Sequence, residues 1–93
     1  MHTEFNKELS YIKNERIRNS LITILDLLPD YFYHIPASST GKYHPEFTLG
    51  DKGLVRHTKA AVRIAYELLQ DSAINNFTSD EKDLLLFALT IHD

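Results

Sequence analysis

The chain has 93 residues, of which 43% are hydrophobic and 25% charged, a balance typical of one globular domain and unlike that of a disordered segment. Ten basic and thirteen acidic residues leave a net charge of −3, which disfavours nucleic acid as a partner because phosphate-backbone binders need a clustered basic surface. The absence of cysteine excludes a disulfide scaffold, a thiol nucleophile and any cysteine-based zinc or iron–sulfur site.

The first predicted element is a helix spanning residues 6–28. Apolar residues recur along it at steps of three, four and five, with charged residues between them. These apolar residues are Leu9, Ile12, Ile17, Leu21, Ile24, Leu25 and Leu28. Pro29 ends the helix, because the residue before a proline is pushed out of the α region.

Residues 29–50 are predicted to form a long loop. The segment is rich in proline and glycine and also contains five of the ten aromatic residues, namely Tyr31, Phe32, Tyr33, Tyr43 and Phe47. Loops of this length are unusual in compact domains, and those that exist tend to be functional. We expect the loop to pack over the helices and to form part of a pocket wall.

Two further helices are predicted, over residues 51–70 and 78–93. The second opens with Thr78-Ser79-Asp80-Glu81, which has the pattern of a capping box. It is then apolar on nearly every side, so we expect it to be central and buried. If its neighbours leave it partly uncovered, the apolar surface predicts a homo-oligomer or docking of further C-terminal helices.

The chain as a whole is therefore expected to be a single all-α domain over residues 1–93 with three main helices. Its longest apolar runs are far shorter than the ~18–20 residues that cross a bilayer, so no membrane association is expected. The sequence begins Met1-His2-Thr3-Glu4, which is acidic and polar and unlike a signal peptide. These features predict a cytoplasmic protein.

Two histidines and one aspartate are the candidates for chemistry. His57 lies three residues after Leu54 and seven before Ile64, which places it on the apolar stripe of its helix. His92 follows Leu85 by seven residues and precedes Asp93. Because burying these three groups without partners is costly, a divalent cation held between the two helices would satisfy them.

The competing interpretation is structural. A single histidine on an apolar stripe is more often a core residue bonded to a backbone carbonyl. Two such histidines, one of them followed at once by aspartate, bring the metal hypothesis level with the structural one, and spacing alone does not separate them.

Leu54-Val55-Arg56-His57-Thr58, followed by Leu89-Thr90-Ile91-His92-Asp93, resembles the HD-domain superfamily of metal-dependent phosphohydrolases. The stretch Ser39-Thr40-Gly41-Lys42-Tyr43-His44-Pro45 is similar to one seen in some bacterial and phage members. The resemblance covers roughly residues 31–93 and implies a small all-α bundle. It also implies hydrolysis of a nucleotide or another phosphoester by a metal-activated water.

The resemblance implies that His57, His92 and Asp93 bind a divalent metal (Mn, Fe, Co, Ni, Zn or Mg), with His92 and Asp93 catalytic. Lys42, His44 and Arg56 flank this site and are candidates for binding the substrate phosphate, although solvent-exposed roles compete for all three. The family motif also needs a second aspartate on a later helix, and nothing follows Asp93. Either these residues are the front of a longer protein, or the site is incomplete and inactive. The alternative function is a non-catalytic helical interaction module.

Overall fold

The computed structural model describes residues 3–36 and 50–92, and every regular element in these ranges is helical. The α-helices are α1 (Asn6–Leu9), α2 (Glu15–Leu27), α3 (Gly53–Leu69) and α4 (Ser79–Ile91). A 3₁₀ helix over Asp30–Tyr33 lies inside the segment predicted to be loop. The all-α prediction is confirmed, whereas the specific HD-type arrangement stays a prediction.

The predicted single helix over 6–28 is wrong, because the chain leaves helical geometry between α1 and α2. Asn14 is the N-cap of α2, and its side-chain oxygen accepts the backbone N–H groups of Arg16 at 2.9 Å and Ile17 at 3.2 Å. The carboxylate of Asp83 in α4 accepts the backbone N–H groups of Lys13 at 3.2 Å and Asn14 at 2.8 Å. These two acceptors replace the helical bonds that an uninterrupted helix would have made.

The start of α3 is tied to the end of the 3₁₀ helix. The backbone N–H of Lys52 donates to the carbonyl of His34 at 3.2 Å, and that of Leu54 donates to Ile35 at 2.9 Å. The His34 ring and the Asp51 carboxylate add a side-chain contact at 3.1 Å between Nδ1 and Oδ1. The first turn of α3, which leads directly to His57, is therefore fixed against the preceding part of the chain.

The hydrophobic core takes side chains from α2, the 3₁₀ helix, α3 and α4, and from Phe5 and Ile12 on either side of α1. Tyr33 of the 3₁₀ helix is fully buried, and its hydroxyl donates to the carbonyl of Leu25 at 2.8 Å, which satisfies the buried phenol. The remaining core side chains are apolar: Phe5, Ile12, Leu21, Leu25, Leu54, Val55, Val62, Leu69 and Leu86. This packing holds α2, α3 and α4 together and so fixes where α3 and α4 present their outer faces.

Helix α4 begins as predicted but is less buried than predicted. The capping box is confirmed, since Glu81 N–H donates to Thr78 Oγ1 at 3.1 Å and Thr78 N–H donates to Glu81 Oε1 at 2.8 Å. Only one side of α4 packs on α2 and α3, however, and Leu84 and Leu85 on the other side are 54% and 44% exposed. No described element covers that side, so the expectation of a central, buried helix is wrong.

None of the helices within residues 3–36 and 50–92 is both long enough and apolar enough to cross a lipid bilayer.

Candidate functional site

Two imidazole rings from different helices meet at one edge of the α3–α4 pair. His57 stands in the second turn of α3 and is half-buried, while His92 is the residue that caps the C-terminus of α4. Their ring centroids lie 6.3 Å apart, with the ring planes inclined at 45°. Because the two residues are 35 positions apart in the sequence, packing of the helices creates this proximity.

The separation of the two rings falls within the range that one metal ion allows. When two imidazoles bind the same ion through one nitrogen each, metal–nitrogen bonds of about 2.0–2.1 Å place the ring centroids about 4.5–5.2 Å apart at right-angle or tetrahedral geometry, and about 6.4 Å apart only when the two nitrogens lie on opposite sides of the ion. Neutral imidazole is also a ligand that first-row transition metals accept readily. The two donors therefore suit a divalent cation chemically, and at 6.3 Å the rings would have to approach by about 1 Å to bind one ion in a tetrahedral arrangement.

The hydrogen bond of His92 orients its ring in the manner typical of a metal ligand. Nδ1 of His92 lies 2.6 Å from the carbonyl oxygen of Leu89. A carbonyl only accepts hydrogen bonds, so in this contact Nδ1 carries the proton and donates. In that tautomer Nε2 is the nitrogen with the lone pair, and many metal-binding histidines share a hydrogen bond of this kind from Nδ1 to a backbone carbonyl.

His92 is exposed, although the apolar pattern around it predicts a buried position. It borders an open groove of about 460 Å³ between α3 and α4, whose other lining residues include Ala65, Leu68, Leu85, Ala88 and Leu89. Among the described residues that line the groove, His92 alone has a polar side chain. The groove is open because the outer side of α4 lacks a covering element in the described part of the chain.

The other predicted site residues are placed only in part. Arg56 directly precedes His57 in α3 and is exposed. Lys42, His44 and Asp93 lie outside the described residues. Within ranges 3–36 and 50–92, no group of three or more His, Asp or Glu side chains is arranged to hold a metal ion. The structure thus brings together His57 and His92, and the third proposed ligand, Asp93, stays a prediction.

A buried ion-pair cluster between α1 and α3 was not predicted from the sequence. Glu8 is only 2% exposed, and its two carboxylate oxygens accept from Lys59 Nζ and Arg63 Nε, each at 2.7 Å. Lys59 also donates to the backbone carbonyl of Glu4, and its ammonium lies 5.8 Å from the centre of the Phe5 ring. This cluster fastens the N-terminal segment to the helix that carries His57.

The charge of Glu8 is maintained by its partners. Burial raises the pKa of its carboxyl, but the hydrogen bonds from Lys59 and Arg63, together with a backbone hydrogen bond and the charge of Lys59, hold the pKa below its ordinary value of 4.5. Glu8 is therefore ionised at neutral pH. The sequence did contain an indication that Glu8 is buried, because Phe5, Glu8 and Ile12 fall at helical spacing on one apolar stripe.

No family model matches the chain, and neither the curated proteins nor the solved structures yield a match.

Proposed function

We propose that the chain is a metal-dependent phosphohydrolase of the HD type that acts on a nucleotide or another phosphoester. The observation that carries the proposal is the 6.3 Å separation of the His57 and His92 rings across α3 and α4. The hydrogen bond from His92 Nδ1 to Leu89 supports it further, because it leaves Nε2 as the ligand atom.

In this proposal His57, His92 and Asp93 hold a divalent cation (Mn, Fe, Co, Ni, Zn or Mg). Such a cation, when bound, acts as a Lewis acid and lowers the pKa of a coordinated water. The carbonyl of Leu89 keeps the His92 ring in its ligating orientation. Arg56, next to His57, contributes a positive charge for the substrate phosphate, and Lys42 and His44 are the further candidates for that contact.

The test is a screen of nucleotides and simple phosphoesters with the parent chain and its His57→Ala variant, each supplied with Mn²⁺. The proposal expects hydrolysis that a chelator abolishes and that His57→Ala lowers at least ~100-fold. His34→Ala is the control for loss of one histidine, because His34 is exposed and the backbone hydrogen bonds that join its segment to α3 remain in this variant. Hydrolysis by His57→Ala at the parent rate would refute the ligand assignment.

The second candidate function is the helical interaction module without catalysis. The exposed apolar side chains of α3 and α4 favour it: Ile64 is 62% exposed, Leu68 51% and Leu84 54%. A surface of this kind is typical of helices that dock against another chain. Size-exclusion chromatography with light scattering, combined with metal analysis, separates the two functions. A metal-free dimer favours the module, whereas stoichiometric metal, in a monomer or in an oligomer, favours the enzyme.

A further inference from the structure

A second pocket lies at the end of α4 opposite His92. It has a volume of about 100 Å³ and is bounded by the start of α4, the end of α3 and the connection between α1 and α2. Ser79 and Lys82 of α4, Gln70 after α3, and Lys13 before α2 contribute polar side chains to its lining. Thirteen residues of α4, at about 1.5 Å each, separate Ser79 from His92 by about 20 Å. The pocket is thus distinct from the proposed metal site.

The two lysines of this pocket have no ion-pair partner in the described part of the chain, although the carboxylate of Asp83 also borders the pocket. Among the described residues, no carboxylate lies within ion-pair distance of the ammonium group of Lys13 or of Lys82. Asp83 also lines the pocket, but its two oxygens already accept the backbone N–H groups of Lys13 and Asn14. The carboxylate of Asp83 therefore bonds to the backbone and not to either lysine ammonium group.

The remaining walls of the pocket are well defined. The rings of Tyr11 and Tyr66 stack in parallel, with centroids 3.8 Å apart and planes inclined by 7°. Gln70 donates one amide hydrogen to the carbonyl of Tyr66 at 3.2 Å, which leaves its second N–H as a further donor. Ser79 adds a hydroxyl. The volume equals that of about three water molecules at about 30 Å³ each, which suits one tetrahedral oxyanion.

We propose that this pocket binds a small oxyanion, either inorganic phosphate or the terminal group of a phosphomonoester. Lysine ammonium groups bind phosphate as compact point charges, and hydroxyl and amide donors add directed hydrogen bonds. The stacked tyrosines form a rigid wall beside the anion. Because no residue of the pocket belongs to the proposed metal site, this inference stands independently of the proposed function.

The test is a titration of the full chain with inorganic phosphate, monitored by the amide resonances in NMR spectra. Phosphate replaces chloride in the buffer, so that the ionic strength stays constant. A chelator is present throughout, so that binding does not depend on metal. The proposal expects saturable shifts at Ser79, Lys82 and Gln70, and an affinity at least about tenfold weaker in the Lys13→Gln/Lys82→Gln double variant. Arg16→Gln, which removes one exposed charge outside the pocket, is expected to bind as the parent does.

Methyl phosphate, titrated in parallel, distinguishes the two sources of the anion. Saturable binding of both ligands assigns the pocket to phosphomonoesters as well as to free phosphate, and binding of phosphate alone assigns it to the free anion. Shifts that stay linear into the tens of millimolar, or equal affinity in the parent and the double variant, would overturn the proposal.

Discussion

The side chain of Glu8 joins the N-terminal segment to α3, the helix that carries His57. Its carboxylate is almost fully buried, yet both oxygens are paired with cations from α3. The partners are themselves partly solvated, since the Lys59 side chain is 26% exposed and the Arg63 side chain 50%. Burial of the acid therefore depends on the two hydrogen bonds, because a buried charge without them would cost several kcal/mol.

Replacing Glu8 with Gln should destabilise the fold by about 2–3 kcal/mol, because the neutral amide loses a charge-assisted bond and turns a donor toward a cation. Urea denaturation monitored by circular dichroism measures the change. Glu67→Gln is the control, since Glu67 is exposed on α3, the helix of Lys59 and Arg63, and its replacement should alter stability by no more than about 0.5 kcal/mol. Equal effects of the two substitutions would show that the Glu8 pairs contribute nothing.

The same residue predicts a dependence of stability on pH. A carboxyl whose pKa is lower in the folded than in the unfolded state contributes stability that is complete above the unfolded pKa and is lost as the pH falls through the folded pKa. The pKa of Glu8 is held below 4.5, so its contribution should be complete at neutral pH. The parent and Glu8→Gln should then differ most at neutral pH, and the difference should shrink as the pH falls below 4.5 in urea titrations. A difference in stability that is independent of pH would contradict this account.

At the scale of single residues, the sequence predicted which histidines lie close together better than it predicted how exposed they are. Helical spacing placed His57 and His92 where two helices could bring them together, and the rings do lie close. The partners of Glu8 lie more than 50 positions away, and such pairing depends on packing that no local pattern encodes. The exposure of His92 was missed for the same reason.

At the scale of elements, Asp83 explains why the N-terminal helix is interrupted. Its carboxylate is 3% exposed and reaches from α4 to the two backbone N–H groups just before α2. Sequence periodicity could not reveal this acceptor, because it is 69 and 70 residues away. The only local indication of the interruption was the five-residue step from Ile12 to Ile17, which departs from the helical spacing of three or four. The capping box of α4, in contrast, is local and was therefore predictable.

Asp83→Ala should destabilise the protein by about 2–4 kcal/mol, because it leaves two partly buried N–H groups without their acceptor. Asp80→Ala is the control from the same helix; Asp80 is exposed and accepts one bond from the Asn14 side chain, so its loss should cost less than about 1 kcal/mol. Thermal unfolding and amide hydrogen exchange at Lys13 and Asn14 report the effect. Unchanged exchange at these two amides in Asp83→Ala would contradict the role given to Asp83.

At the scale of the whole molecule, the outer faces of α3 and α4 form a continuous apolar surface. The sequence correctly indicated that α4 has more apolar residues than one packed side needs, but it could not say how many neighbours the helix has. In the described part of the chain α4 packs on α2 and α3 alone, and Leu84, Leu85 and Ile91 are left exposed.

This surface predicts association that depends on protein concentration. The Leu68→Glu/Leu85→Glu double variant should shift the sedimentation profile toward monomer, because each substitution puts a charge where apolar contact would form. Both residues are about half exposed, so the variant should retain its helical circular dichroism. The control is Glu67→Gln, which leaves the apolar surface intact. A parent chain that stays monomeric at all concentrations would contradict this prediction.

The central claim is that His57 and His92 share a divalent cation, and metal binding tests it most directly. Calorimetric titration of the chelator-treated chain with Mn²⁺ or Ni²⁺, together with elemental analysis, is compared among the parent, His57→Ala, His92→Ala and His34→Ala. We expect one or two equivalents of metal in the parent and in His34→Ala, and an affinity weakened at least about tenfold in the other two variants. Absence of binding in the parent, or equal affinity in all four proteins, would contradict it.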